Sequence, residues 1–377
     1  MNTLFFRWFL SLLFNFIIVV SFSQDYNKIF YDFKKTENDT SNFLSFRIDN
    51  SNFFRNNEYF NNIVNGETAI GYYLEPVFCL ASNKLKLEAG ISSLKYFGRE
   101  RFSFVNPIFS FRYDFSQKFS FVFGSLNGNF NHKLIEPIYG FDNYFNRKIE
   151  DGFQFLINNQ FLKSDIWIDW QKFIFQDDPF QEEFTVGTSS RLLLFPKKFN
   201  VNLIFQSLVT HKGGQIDNSS NHLQTLINTA TGIEFRKKMK SSIIDDFGFQ
   251  SFFLHFDDLS FVSKLSFTKG FGTYNKFFIG SKYFDINFAY WNANHFIAPK
   301  GEILFQSVSE KFEKNYTEPH KELFVSKFSY NFLLKENIRF ALRFESYFDI
   351  LTQNFDYSYG FIIILEKEFF IRNLNLQ

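Results

Sequence analysis

Aromatic residues alternate with polar residues along much of this chain, and this period of two constrains the fold more than any other feature. Phenylalanine accounts for 62 of the 377 residues. In the segment 109–115, aromatic side chains occupy every second position, and Ser110, Arg112 and Asp114 lie between them. Successive side chains of a β-strand point to opposite faces of the sheet. The pattern therefore predicts strands with one aromatic face and one polar or charged face.

The alternation recurs almost to the C-terminus. Further alternating segments are 44–49, 85–92, 199–206, 261–268, 284–290, 338–345 and 357–365. In 338–345, Arg339, Arg343 and Glu345 share one face, and the opposite face is apolar. Charged groups need water or an ionic partner, so this face is expected to point into an aqueous lumen. The slightly negative mean hydropathy of −0.17 agrees with such alternating strands, because their apolar and polar positions cancel in the average.

A soluble β-sandwich also alternates, but its core favours Val, Ile and Leu rather than Phe and Tyr. About 14 to 16 segments here approach the roughly 9 to 11 residues that cross a bilayer at a tilt. Short connections at 116–118 and 196–198 alternate roughly with long polar ones at 127–150, 213–222 and 307–320. The sequence therefore predicts an all-β fold, a transmembrane antiparallel β-barrel of about 14 to 16 strands.

Residues 1–23 have the pattern of a cleaved secretory signal. Arg7 supplies a positive charge, the segment 9–22 is nearly all apolar, and Ser21 and Ser23 are small residues near the expected cleavage site. An uncleaved anchor is the alternative, but the run is shorter than the ~20 residues of a spanning helix. No Pro-, Ser- or Gly-rich linker divides residues 24–377, so a single barrel domain is expected.

Charge and cysteine content exclude other classes. The chain has 40 basic and 39 acidic residues, and removal of the signal takes away one Arg, which leaves 39 of each. A protein that binds nucleic acid would need an excess of basic residues, so we expect no nucleic acid as a partner of this protein. Cys79 is the only cysteine, so no intramolecular disulfide can form.

With its signal, its alternating strands, its aromatic enrichment and its amphipathic last strand, the chain resembles the porin-like outer-membrane β-barrels of Gram-negative bacteria. The resemblance covers the mature chain and is architectural. It implies a location in the cell outer membrane, contact with outer-membrane lipid and insertion by the barrel-assembly machinery. Many such barrels end on an aromatic residue, whereas this chain continues past Phe370. Either the last strand ends at Phe370 before a short tail, or recognition by the machinery is looser here.

Charged residues of the expected inward face are the first candidates for a functional site. The candidate lumen or constriction residues are Arg47, Asp49, Arg112, Asp114, Asp165, Trp167, Asp169, Arg339, Arg343 and Glu345. Opposed basic and acidic groups across a constriction would filter polar solutes. The same groups could instead pair into a network that plugs the barrel.

Trp167 lies between two carboxylates on one face of its predicted strand. It could stack on a sugar ring while Asp165 and Asp169 accept hydrogen bonds from the sugar hydroxyls. Alternatively, Trp167 and Trp170 belong to the aromatic girdle at the membrane interface, and the acids pair with lumenal Arg or Lys.

Catalytic motifs are absent from the sequence. The six histidines have no spacing typical of a zinc site, and no HExxH, CxxC or GxSxG motif occurs. We therefore expect no catalytic residues, no metal, no cofactor and no enzyme activity. His211 and His320 lie in expected loops, where a hydrolase site could still form from residues that meet only in the fold.

The function predicted from these features is that of a porin-like channel or transporter for small polar solutes, such as a sugar. A non-conducting structural or assembly subunit of an outer-membrane complex is the alternative, and an outer-membrane hydrolase is the third possibility. The sequence leaves the oligomeric state open.

Overall fold

In a computed structural model, which describes residues 27–30, 42–196, 200–239, 244–309 and 315–374, sixteen strands form one closed antiparallel barrel. The strands are β1 Phe43–Glu58, β2 Thr68–Ser82, β3 Leu85–Tyr96, β4 Phe104–Ser116, β5 Phe119–Ser125, β6 Asp151–Asn158, β7 Leu162–Lys172, β8 Glu183–Pro196, β9 Asn200–Lys212, β10 Gln224–Lys238, β11 Asp246–Asp258, β12 Lys269–Gly280, β13 Phe284–Asn294, β14 His320–Lys335, β15 Ile338–Asp349 and β16 Phe355–Asn373. Each strand pairs with its neighbours in the chain, and β16 pairs with β1. The predicted fold class is confirmed, and the expected signal at 1–23 lies outside the described residues.

Long and short connections lie at opposite ends of the barrel. Connections after odd-numbered strands are mostly long, such as 126–150 and 295–319, and those after even-numbered strands are mostly short, such as 83–84. Outer-membrane barrels place short turns in the periplasm and long loops outside the cell. We therefore call the two ends periplasmic and external. None of the helices in the described residues is long and apolar enough to cross a membrane.

The aromatic face points outward, toward lipid. Phe109, Phe205 and Phe253 are 54%, 44% and 56% exposed, and rings on adjacent strands meet, as Phe121 and Phe155 do at 5.1 Å. The position in the outer membrane follows from this surface and from the closed barrel.

One expected strand is wrong, and one of the two alternatives for the last strand is excluded. The segment 261–268, expected as a strand, belongs to the connection between β11 and β12. The carboxylate of Asp258 accepts a hydrogen bond from the Ser260 amide at 2.9 Å and another from the Ser263 hydroxyl, so the chain turns where β11 ends. At the C-terminus, β16 continues to Asn373, so the last strand does not end at Phe370.

Two external loops fold back into the lumen. The first plug loop (126–150) contains a 3-10 turn, Asn129–His132, and a short α-helix, Asn143–Asn146. The second plug loop (295–319, described except for 310–314) contains the 3-10 turn Ile303–Phe305. The loops bind each other, because the Gly140 amide donates to the Lys300 carbonyl at 2.7 Å and the Glu302 amide to the Glu136 carbonyl at 2.9 Å.

The hydrophobic core of this barrel lies in its lumen. Ile138, Phe296 and Phe305 of the plug loops are fully buried beside the inward side chain of Trp291. A second cluster includes the inward residues Ile362 and Ile364 of β16. These two inward isoleucines explain why β16 alternates less regularly than the other strands. Their partners are loop residues rather than water.

Candidate functional site

A buried histidine joins the first plug loop to the barrel wall. His132 Nδ1 lies 2.8 Å from Asp165 Oδ2, and His132 Nε2 lies 2.6 Å from Glu150 Oε2. The imidazole stacks on the indole of Trp167, with ring centroids 3.5 Å apart and an 8° angle between planes. We call these four residues the His132 latch.

The latch holds a charged imidazole. Burial by itself opposes the imidazolium form, but the carboxylates of Glu150 and Asp165 outweigh burial and raise the pKa of His132 to about 10. The His132 side chain has no exposed surface. A substrate therefore cannot reach this group, and the latch is a structural link between the loop and β7.

Gly187 of β8 leaves the space that Trp167 of the latch occupies. A Cβ at Gly187 would lie 2.1 Å from Cζ2 of that indole. We expect Gly187→Ala to displace Trp167 from the His132 ring and to lower barrel stability, by a cost typical of core overpacking, about 1 to 3 kcal/mol. Denaturant unfolding of the detergent-solubilised barrel measures this, with Gly214→Ala as control, because φ of Gly214 is not positive and a Cβ there would come closest to the flexible end of Glu182, at 3.1 Å. Equal losses in the two variants would contradict the close contact.

The acidic and aromatic candidates on β7 all contact the first plug loop. Asp165 and Trp167 belong to the latch, and Asp169 accepts a hydrogen bond from Arg147 Nη1 at 2.5 Å. The girdle interpretation of Trp167 is wrong, because its ring faces the lumen and is only 3% exposed. Trp167 does not offer this ring face to a sugar, because the imidazole of His132 covers it. Trp170, on the outward face, donates from Nε1 to Glu182 Oε1 at 2.9 Å.

The other predicted lumen residues form ion pairs. The pairs are Arg47 with Asp49 and with Glu88, both at 2.7 Å, Arg112 with Asp114 at 2.9 Å, Arg339 with Glu366 at 2.7 Å, and Arg343 with Glu345 at 3.3 Å. These paired residues lie on β1, β3, β4, β15 and β16, the part of the wall that includes the closing strand. The structure thus brings the ten candidates into two groups, one on β7 against the first plug loop and one on β1, β4 and β15.

A different histidine lies on the outside of the barrel, at its external end. On β9, Ile204, Gln206 and Leu208 point inward and are buried, so His211 points outward. Thr225 of β10 pairs directly with it in the strand register and has the same orientation. His211 Nδ1 lies 2.8 Å from Thr225 Oγ1, and His211 Nε2 lies 2.8 Å from the Gly213 carbonyl.

These contacts define the hydrogen-bonding roles of His211. A carbonyl oxygen only accepts, so Nε2 must carry the proton that is donated to Gly213. In the neutral ring, Nδ1 is then an acceptor, and the Thr225 hydroxyl donates to it. A hydroxyl, a base and a group that orients the base are the parts of an activated nucleophile. We call His211, Thr225 and Gly213 the rim site.

Aromatic and apolar groups surround the rim site. Phe184 of β8 stacks on His211, with centroids 4.8 Å apart, and Trp170 contacts Phe184 at 5.3 Å. Phe175 and Phe261, on the neighbouring external loops, are 71% and 99% exposed. The site therefore lies on an apolar surface at the external edge of the barrel, where hydrocarbon meets polar groups in an outer membrane.

Sequence reasoning named His211 as a residue where a hydrolase site could form but missed its partner Thr225, because the two meet only through the pairing of β9 with β10. His211 was expected in a loop, but it lies near the end of β9. The available signal was the outward position of a histidine and a threonine on two consecutive strands. His320, the other histidine considered, begins β14 and stacks near His295, with centroids 6.3 Å apart. Within the described ranges, no group of three or more His, Cys, Asp or Glu residues could hold a metal ion.

The fold is that of an outer-membrane β-barrel, and the rim site lies on its outward face at the external edge. The chain belongs to the lipid A 3'-O-deacylase-type family, which it matches over residues 35–374. This is a family of enzymes, so the expectation of a protein without enzyme activity is wrong. No curated protein matches the chain in sequence.

Solved structures similar to this chain are outer-membrane proteins. The loop L8 deletion mutant of OmpT from Vibrio cholerae has a TM-score of 0.50 and 8% identity, with 87% of this chain and 100% of that chain covered. OprD from Pseudomonas aeruginosa has a TM-score of 0.48 and 8% identity, with 88% and 96% covered. A BenF-like porin from Pseudomonas fluorescens Pf-5 has a TM-score of 0.48 and 8% identity, with 87% and 99% covered. At this identity, the likeness shows the barrel fold alone.

Proposed function

We propose that this protein hydrolyses an acyl ester of lipid A or a similar lipid in the outer leaflet, and that the rim site performs the reaction. The observation that carries the proposal is the contact between the Thr225 hydroxyl and His211 on the lipid-facing surface at the external end. The acyl esters of an outer-leaflet lipid lie at the boundary between hydrocarbon and headgroups. Membership of the deacylase-type family supports the same reaction class.

The chemistry follows from the three contacts. The Thr225 Oγ attacks the acyl carbonyl carbon, and its proton passes to His211 Nδ1. Collapse of the tetrahedral intermediate breaks the ester bond, and the departing alkoxide takes that proton from the ring. Water then attacks the acyl-threonine and gives a proton to His211, and collapse of this second intermediate releases the fatty acid while Thr225 Oγ takes that proton from the ring. The Gly213 carbonyl keeps the imidazole in the required tautomer throughout.

Groups around the rim site suit such a lipid. The exposed side chains of Phe175, Leu259 and Phe261 offer apolar surface to acyl chains. Lys172 and Lys212 both contact the carboxylate of Glu183, at 2.5 and 3.8 Å, which places the positive charge of two ammonium groups at the strand ends beside His211. A headgroup phosphate would complement this charge.

Expression of the chain in a Gram-negative host tests the proposal. Lipid A extracted from these cells is expected to contain a species lighter by one acyl chain, as measured by mass spectrometry. The species should disappear when the host expresses Thr225→Val, which keeps the side-chain shape and removes the hydroxyl. Unchanged lipid A with a folded barrel in the outer membrane would contradict the proposal.

Passage of small polar solutes is a second candidate function, and the charges below the plug loops favour it. On the periplasmic side of these loops, one cavity of about 140 Å³ is lined by both carboxylates and cations, which are Asp49, Glu75, Glu88 and Glu366 with Arg47, Lys148 and Arg339. Another, of about 70 Å³, lies toward β8–β15, and the charged residues among its lining are mainly basic. Opposed charges of this kind order polar solutes in a pore.

The plug loops should limit any conductance. We expect the intact barrel to conduct weakly in planar bilayers, because the apolar side chains of both plug loops fill the external half of the lumen. Replacement of 127–149 by a short Gly-Ser linker is expected to raise single-channel conductance several-fold. A high conductance of the intact protein, unchanged by the replacement, would contradict a plugged lumen.

A further inference from the structure

A short segment that precedes the first strand lies inside the barrel. It contains the 3-10 turn Lys28–Phe30, which lies beside β15. Ile29 is only 3% exposed and belongs to the same buried cluster as the inward residues Ala341 and Ile362 of the wall. Because β1 begins at the periplasmic end of the barrel, that end is the route by which this segment reaches the lumen. We call residues 27–30 the N-terminal segment.

Phe30 of the N-terminal segment joins two parts of the first plug loop. The centroid of its ring lies 4.7 Å from that of Phe130 in the 3-10 turn of the loop. It also lies 5.6 Å from the ring of Phe141 and 4.9 Å from the ring of Tyr144 in the short helix. Aromatic contacts at such distances are favourable beyond the apolar area that they bury. Removal of Phe30 would expose to water the surfaces of these three rings that it covers.

One side chain of the barrel wall binds both the N-terminal segment and the plug loop. Nη2 of Arg343, on β15, donates a hydrogen bond to Asn27 Oδ1 at 3.1 Å. Its guanidinium group lies 5.6 Å from the ring centroid of Phe30 and 4.4 Å from that of Phe141. Guanidinium groups stack on aromatic faces in this way. Arg343 thus links the segment, the loop and the wall.

The N-terminal segment lies between the two cavities on the periplasmic side of the plug loops. Asn27 lines the cavity of about 70 Å³, and Phe30 lines the cavity of about 140 Å³. Asn129 and Phe130 of the first plug loop line both cavities. The segment and the loop therefore form one partition, and the segment narrows the part of the lumen that the plug loops leave open.

We propose that the N-terminal segment is an autoinhibitory stopper, which closes the lumen from the periplasmic side and holds the first plug loop in place. Withdrawal of the segment into the periplasm exposes the rings of the loop, loosens the loop and opens the lumen. The device is separate from the rim site, which lies outside the barrel wall at the other end, and it does not depend on the proposed hydrolysis. It differs from the plug loops alone, because the lumen opens while both loops keep their sequence.

Conductance in planar bilayers of the double variant Ile29→Ser, Phe30→Ser tests the closure. We expect a several-fold rise in single-channel conductance over the unmodified protein, because serine side chains favour water over the aromatic cluster. Deletion of residues 27–30 should produce the same rise. The matched control is Phe60→Ser, Leu351→Ser, which changes two exposed apolar residues of external connections and should conduct as the unmodified protein does.

Thiol labelling measures whether the segment occupies the lumen. In a Cys79→Ser background, Ile29→Cys is expected to react with a membrane-impermeant reagent at least about tenfold more slowly than Leu351→Cys, because a buried thiol reacts only after local opening. Arg343→Ala should accelerate the reaction of Ile29→Cys, since the hydrogen bond to Asn27 and the contact with Phe30 are then lost.

Two results would overturn the proposal. One is an equal conductance of the unmodified protein and the folded double variant. The other is labelling of Ile29→Cys as fast as that of Leu351→Cys in the folded barrel. Heat-modifiable gel migration identifies the folded barrels, so only these are compared.

Discussion

Replacement of His211 by Gln is expected to lower the rate of acyl-ester hydrolysis by at least about 100-fold, because a positioned general base typically contributes 10² to 10⁴ in rate. Glutamine retains a polar side chain of similar reach but cannot take the proton of Thr225. The measurement is fatty-acid release from lipid A in mixed micelles. The barrel itself should remain folded, because His211 lies on its outer surface near the strand end.

Three further variants make this result specific. His222→Gln changes an exposed histidine in the connection after β9 and should leave the rate unchanged. Thr225→Ser keeps the hydroxyl and is expected to retain measurable activity, whereas Thr225→Val should lose activity as His211→Gln does. An active His211→Gln, or a Thr225→Val at the normal rate, would remove the rim site from the reaction.

Replacement of His132 by Leu is expected to produce the largest loss of stability. Removal of one partner of a buried ionic group typically costs about 3 to 5 kcal/mol, because the remaining charges stay buried without compensation. Here two carboxylates, Glu150 and Asp165, would remain beside each other. Denaturant unfolding at neutral pH measures the loss. The triple variant His132→Leu, Glu150→Gln, Asp165→Asn should recover part of it, since no buried charge is then left over.

The pH dependence of stability identifies the same group. The pKa of His132 is raised in the folded protein to about 10 from the usual value of 6.5. Its stabilisation is therefore complete below about pH 6.5 and is lost as the pH rises toward about 10. The unmodified barrel should lose stability across this window, and His132→Leu should lose less. Equal slopes in the two proteins would contradict a charged latch.

Glu302 of the second plug loop contributes a trend of the same sign at lower pH, because its pKa is also raised in the folded protein. Burial, with repulsion by Asp142, raises the pKa of Glu302 to about 7 against the attraction of Arg55. A buried acid with a raised pKa favours the folded state below its usual pKa near 4.5, and the advantage is lost between 4.5 and about 7. Measurements of the latch above pH 7 therefore avoid this titration.

The barrel could be predicted from the sequence because its strands carry their information locally. A strand segment of eight residues, such as 338–345, already shows the period of two. It also shows the separation of lipid-facing from lumenal residues. Segment 261–268 shows the limit of that signal: its alternation was outweighed by the hydrogen bonds that Asp258 makes to Ser260 and Ser263. Short polar side chains compete with the strand backbone in this way.

The contents of the lumen could not be predicted in the same way. The inward position of Asp165 and Trp167 on β7 was one of two alternatives, but their partner His132 lies 33 residues before Asp165 in a loop without a regular pattern. An inward charge looks the same in sequence whether it faces water, an ion-pair partner or a loop. The pairing of His211 with Thr225 was missed for a related reason, since the two residues become neighbours only through the register of β9 and β10.

Fatty-acid release by the purified barrel, reconstituted in vesicles that contain lipid A, tests the central claim most directly. The account predicts that free fatty acid and lipid A lighter by one acyl chain appear together in equal amounts, and that both are lost in Thr225→Val while the barrel stays folded. Absence of both products with the folded, unmodified protein, or their undiminished formation by Thr225→Val, would contradict it.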